Sequence, residues 1–301
     1  ARWSRGLGDV YKRQPMADEP AHDQTDDDLE HLAPALLAAR RFGLLWTRSI
    51  SQFVGDDYTG NAAIASLCAI RSAGPLRLRD LAARVGLPGP TLSRVVDRLV
   101  ANGDVTRQHG PADGDGRAVL MTITPVGIER EHSIDRAIYH DGPATSPMVK
   151  EAVVHLDALV ERMPVAADRS PAPHSDESLA GVLAGLGIAV GDTLHSISPS
   201  GDITEALALL AFVEDAAPRP SVIANRVGLS SGGTTKVLDR LESSGQIERT
   251  FGASGDRRGV ELHLTTTGRL HLRSMSEKAR PHLAALSASL HAVLGRLEPA
   301  D

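Results

Sequence analysis

The chain has 301 residues, enough for two ordinary domains, with 42% hydrophobic and 23% charged residues, few aromatics and a formal charge of −6. The single cysteine, Cys68, excludes an internal disulfide framework and a cysteine-based zinc site, and fits a reducing cytoplasm. No run reaches the roughly 18 consecutive apolar residues of a membrane span, and the longest candidate, around Leu179 to Val190, is broken by glycine.

Ala1 to Gln14 lack the apolar centre of a signal peptide and resemble a translated adapter tail, so Met16 is the expected start. The acidic stretch that follows reads as a disordered lead-in, giving residues 1–27 no place in the fold. A long amphipathic helix is expected over Leu29–Phe53 and another over Gly60–Arg71. A short helix over Leu78–Val85 ends at Gly86, a C-cap signal. The next helix, Gly89–Ala101, carries Leu92, Val95, Val96 and Leu99 on one face and turns Arg94 and Arg98 outward. Two short helices joined by a glycine turn, the second amphipathic, form a helix-turn-helix signature. A hairpin follows: Asp104–Gln108, a polar tip His109–Gly116, and a return strand Arg117–Thr124. Two further helices are expected over Pro125–Tyr139 and Val149–Arg162, then a linker rich in proline and serine, Pro164–Ser175.

The same order then repeats. Arg84-Val85-Gly86-Leu87 recurs as Arg226-Val227-Gly228-Leu229, an offset of 142 residues. At that offset Val95, Asp97, Arg98, Leu99, Gly103 and Arg107 meet Val237, Asp239, Arg240, Leu241, Gly245 and Arg249. After a one-residue slip, Asp115, Arg117, Thr124 and Gly127 meet Asp256, Arg258, Thr265 and Gly268. The second copy is expected to have a leading helix over Glu177–Ile197 and closing helices over Thr266–Lys278 and Pro281–Leu297. Charge is segregated: the helix-turn-helix and hairpin segments carry about +2 each, leaving about −10 elsewhere.

Each half resembles a MarR-type regulator: leading helix, helix-turn-helix, wing hairpin and two closing helices. The motif D-x-R-x-x-x-L-x-L-T-x-x-G fits Asp256 to Gly268 closely, while the first copy, Asp115 to Gly127, has Met121 and Ile123 at the two leucine positions. The resemblance implies a mainly α fold with small β wings, with residues 28–164 and 176–298 as two winged-helix repeats joined by 165–175. Family members are homodimers, so a fused pair implies an intramolecular pseudo-dimer. It also implies double-stranded DNA as partner and release by a small aromatic effector.

Thr91, Ser93 and Arg94, with Thr234, Thr235 and Lys236, are the expected base readers; for the hydroxyl residues helix capping is the alternative. Arg94, Arg98 and Arg107, with Lys236, Arg240 and Arg249, are the expected phosphate contacts. Arg98 and Arg240 stand beside Asp97 and Asp239, so intramolecular salt bridges compete with that reading. The resemblance places Arg117 and Arg258 in the minor groove, oriented by Asp115 and Asp256. The pair Arg257–Arg258 suggests that the second half binds DNA more strongly. An effector pocket by resemblance would draw on Leu45, Trp46, Ile50, Leu67 and Ile70, for which core packing is the favoured alternative. Cys68 reads as an inert buried thiol and, less favoured, as a redox sensor. His263 and His271 are the nearest approach to a metal pair, with surface histidines the favoured reading. No nucleophile elbow, phosphate loop or paired carboxylates support an enzyme. A transcriptional regulator is therefore expected, and a ligand- or protein-binding module that has lost DNA binding is the alternative.

Overall fold

The computed structural model describes residues 21–54, 61–109, 119–162, 178–198, 200–251 and 259–298. In the first half, α1 (Ala21–Val54) and α2 (Asn61–Ala73) lead to β1 (Leu76–Arg77), α3 (Leu78–Val85) and α4 (Gly89–Ala101). The hairpin β2 (Val105–His109) and β3 (Val119–Ile123) then runs into α5 (Pro125–Val160). The second half repeats this order as α6 (Leu179–Ile197), α7 (Ile203–Leu210), α8 (Pro220–Val227), α9 (Ser231–Ser243), β4 (Ile247–Phe251), β5 (Val260–Leu264) and α10 (Thr266–Leu297). The fold is mainly helical with small antiparallel sheets.

The two halves have single hydrogen bonds at corresponding positions. Gly86 and Gly228 close α3 and α8 at φ 70° and 76°, each donating 2.9 Å to the carbonyl of Ala82 or Ala224. A residue with a Cβ pays a steric cost in that left-handed region, so glycine sets the turn. At the other end, Thr124 and Thr265 cap α5 and α10 by accepting from the amides of Gly127 and Gly268 at 3.0 and 3.1 Å. The same hydroxyls donate to the carbonyls of Gly103 and Gly245 at 2.7 and 2.6 Å. Both glycines lie so close to the carbonyl oxygens of Asp104 and Gln246 that a Cβ would collide with them.

The sheets differ for a local reason. In the first half β1 adds to the hairpin, pairing Leu76 with Met121. The matching position in the second half is Pro218, which has no N–H; its carbonyl accepts from the Leu262 amide at 3.1 Å, and no strand forms there among the described residues.

The long helices form the platform. α1 runs along α5 and α6 along α10, while α5 and α10 also pack together. α5 and α10 are each continuous where two helices are expected. An interior proline costs about 3 kcal/mol, whereas each large apolar side chain buried contributes roughly 1.5–3 kcal/mol. Ile134, Ile138, Val149, Val153, Leu156 and Leu159 are buried on both sides of the Gly142–Pro147 stretch, and Leu272, Met275, Leu283, Leu286 and Leu290 flank Pro281. Burial therefore outweighs the break.

The helix also begins earlier than expected, since residues from Ala21 onward belong to α1. Acids in its second turn are held by arginines of α10 and of the turn after α5: Asp26 by Arg273 at 3.0 Å, Asp27 by Arg162, and the buried Asp28 by Arg280 at 2.9 Å. These charge-assisted contacts give Asp26, Asp27 and Asp28 an ordered role.

α6 is long and apolar enough to cross a membrane by length and composition. Its Leu179, Leu183, Leu186 and Leu194 are buried, and the helix packs on α10 and α2. Buried residues of both halves join in one continuous core running from Leu29 to Val293. The linker 165–175 lies outside the described residues.

Candidate nucleic-acid interface

α4 and α9 present comparable faces. On α4, Leu92, Val96 and Leu99 are buried, Ser93 and Val95 are half-buried, and Thr91, Arg94 and Arg98 are exposed. On α9, Thr235, Lys236 and Arg240 are exposed. Thr234 is not: it is 3% exposed, and its hydroxyl donates 2.9 Å to the Ser230 carbonyl. The expectation that Thr234 reads bases is therefore corrected. The signal was available, because Thr234, Val237, Leu238 and Leu241 have the spacing of a buried stripe and Thr234 aligns with Leu92. Capping of α9 falls instead to Ser230, whose hydroxyl accepts from the Gly233 amide at 3.2 Å. Thr235 Oγ1 donates to the Ser231 carbonyl at 3.1 Å, leaving its lone pairs outward.

The arginines divide into braced and unbraced groups. Arg107 on β2 meets Asp97 of α4 at 2.5 Å, and Arg249 on β4 meets Asp239 of α9 at 2.7 Å. Arg249 also meets Glu242 at 2.6 Å. The matched pairs tie each hairpin to its preceding helix, so Asp97 and Asp239 serve the strand arginines and not their neighbours Arg98 and Arg240. Arg249, with 20% of its side chain exposed, is largely committed to this brace and is a poor phosphate ligand, contrary to expectation. Arg240 is held by Asp202 and by Glu205, the latter at 2.5 Å, which raises its pKa. The salt-bridge reading of Arg240 holds, with different partners from the expected Asp239. Asp202 and Glu205 were missed, although Asp-x-x-Glu before an apolar run is a capping signal; Asp202 accepts from the Thr204 amide at 2.9 Å. Among the described residues, Arg94, Arg98 and Lys236 make no ion pair. Arg117, Arg257, Arg258, Asp115 and Asp256 lie outside the described residues.

The hinge between hairpin and long helix holds an ion pair in one half and a histidine–glutamine hydrogen bond in the other. Buried Asp104 meets Arg130 at 3.4 Å. Burial raises the Asp104 pKa and Arg130 opposes the rise. At the matching place in the second half, His271 Nδ1 is hydrogen-bonded to Gln246 Oε1. Burial, then Lys278, lowers the His271 pKa.

Trp46, Ile50, Leu67 and Ile70 are buried members of the continuous core and Leu45 is half-buried, so packing accounts for the residues expected around an effector pocket. Cys68 lies in the same core. Burial, then Glu131, pushes its thiol well above the ordinary range, which disfavours the reactive thiolate. His263 stands opposite Glu248 in the β4–β5 ladder, and among the described residues no three metal-ligating side chains gather.

No curated protein matches the chain. A MarR family domain is found at residues 62–118, the segment that holds α2, α3, α4 and the first hairpin strand.

Proposed function

We propose that this chain is a DNA-binding transcriptional regulator that reads an imperfect palindrome with two winged helix-turn-helix units, residues 28–164 and 176–298, acting as an intramolecular pseudo-dimer. The MarR domain at 62–118 supports the regulator reading and gives enzymatic chemistry no support. The observation that carries the two-unit reading is reciprocal packing between the halves. Leu44 of α1 lies against Gly228 at the end of α8, and Ile188 of α6 lies against Gly86 at the end of α3. Gly86 and Gly228 are equivalent in the repeat, so each leading helix supports the other half's reader, as in a two-fold dimer.

Arg94, Arg98 and Lys236 supply unbraced charge for phosphates and base edges, with Thr91, Ser93 and Thr235 beside them. Arg117 and Arg258, oriented by Asp115 and Asp256 and joined by Arg257, act at the wings. Arg107, Arg240 and Arg249 act mainly by holding the readers in position. On the helices the charge favours the first half, so stronger binding by the second half rests on Arg257 and Arg258. The protein works in the cytoplasm, and a small aromatic molecule is its effector.

The bracing of those three arginines also favours a second reading, a module of this fold that binds ligand or protein without DNA. Gel shifts with the DNA upstream of the gene, at several salt concentrations, separate the two. Regulator function predicts specific binding that weakens steeply with salt; no specific binding at low salt overturns it. Separate Arg117→Ala and Arg258→Ala variants test the asymmetry, for which a larger loss with Arg258→Ala is expected and equal losses on a symmetric site contradict it.

A further inference from the structure

Two kinds of polar contact join the halves at α5 and α10. One kind comes in matched pairs. Ser146 donates to Glu298, and Lys150 meets the same carboxylate at 2.7 Å. Ser287 donates to Asp157 at 3.1 Å, and His291 meets it at 2.9 Å. Ser146, Lys150 and Asp157 stand 141 residues before Ser287, His291 and Glu298, the spacing that also relates Gly127 to Gly268. α5 and α10 therefore meet as equivalents, and these contacts would form as well between two copies of either helix.

The other kind has no match. Asp28 of α1 is 1% exposed and accepts from Arg280 at 2.9 Å and from Ser276 at 3.5 Å, while Asp26 meets Arg273 at 3.0 Å. At the same spacing α5 has Tyr139 for Arg280, Asp135 for Ser276 and His132 for Arg273. In the opposite direction the buried Glu131 accepts from Ser178 at 2.8 Å, and Asp135 accepts from the Ala180 amide at 2.7 Å. α10 has Leu272 and Ser276 at the positions of these two acids.

We propose that the unmatched contacts make the platform selective: each half accepts the other half and rejects its own kind, so a chain recruits no second copy through this face. The inference rests on the pseudo-dimer reading and is independent of DNA binding. Two first halves would set buried Asp28 against Asp135 and Tyr139, carboxylate facing carboxylate with no arginine between them. A buried charge stripped of its partner is strongly destabilising. Two second halves would set the Ser178 hydroxyl against Leu272 and take from Arg273 and Arg280 the carboxylates they hold here. Selectivity of this sort comes from the repulsion built against the wrong partner as much as from attraction to the right one.

The test uses full-length variants in urea denaturation. Arg280→Ala removes the partner of Asp28 and should lower the folding equilibrium constant about tenfold. Ser276→Asp/Arg280→Tyr places the residues of α5 opposite α1, which reproduces within one chain the contact between two first halves. It should lower the constant about tenfold further. Adding Asp28→Asn to that variant removes the opposed carboxylate and should recover most of the loss. Two differently tagged wild-type copies, co-expressed, should not co-purify. An Arg280→Ala protein as stable as wild type would contradict the packing of the halves itself. A double variant no less stable than Arg280→Ala, a loss that Asp28→Asn leaves in place, or co-purification of wild-type copies overturns the selectivity.

Discussion

A methyl group at Gly127 or Gly268 meets a backbone carbonyl oxygen, which cannot move aside without shifting the hairpin. Gly127→Ala and Gly268→Ala should each lower stability by roughly 1–3 kcal/mol in urea denaturation. Exposed Gly185, with nothing near its Cβ position, should tolerate alanine and gain about 0.5–1 kcal/mol. Similar effects at all three positions would contradict the close approach. His271 gives a pH signature. Its folded pKa lies below its ordinary value, so its contribution is present above that value and is lost as pH falls through the folded pKa. Stability measured across mildly acid pH should drop in the wild type and drop less in His271→Asn; parallel curves would contradict the assignment. The unbraced cations have a different signature. Arg94→Ala, Arg98→Ala and Lys236→Ala should each reduce the salt slope of DNA binding by about 0.9. Arg249→Ala should cost stability and leave that slope nearly unchanged, because its charge already serves Asp239 and Glu242.

At the scale of elements, local signals were sufficient wherever the chain itself dictates the geometry. α3 and α4 have the bounds expected from the sequence because Gly86 takes a left-handed turn and Pro90 fits only the first turn of a helix. The continuity of α5 and α10 was not legible, since proline and glycine mark breaks and the opposing term, burial against other long helices, is tertiary. The acidic start of α1 was hidden for the same reason: Arg162, Arg273 and Arg280 are its partners and lie far away in sequence. The missing strand before α8 was readable in principle from Pro218. Replacing Pro218 with leucine restores the donor, and the amide of the new residue should show slowed hydrogen exchange comparable to that of Leu76. Fast exchange at both positions would contradict the account of the sheets.

At the scale of the molecule, the similar order of elements in the two halves was legible and the way the halves share a core was not. Leu44 against Gly228 and Ile188 against Gly86 pair residues more than a hundred positions apart, and no periodicity announces such contacts. The candidate readers were legible as exposed basic helices. Which of their charges are internally committed depends on the strand arginines and on Asp202 and Glu205. A chain with a net charge of −6 approaches DNA productively only if it presents its basic faces together. The most direct measurement is the mass of the specific complex with a duplex whose two half-site centres lie roughly 34–36 Å apart. The account predicts one chain per duplex, with affinity strongly reduced when either half-site is scrambled. Two chains on one duplex, each engaging a single half-site, would contradict it.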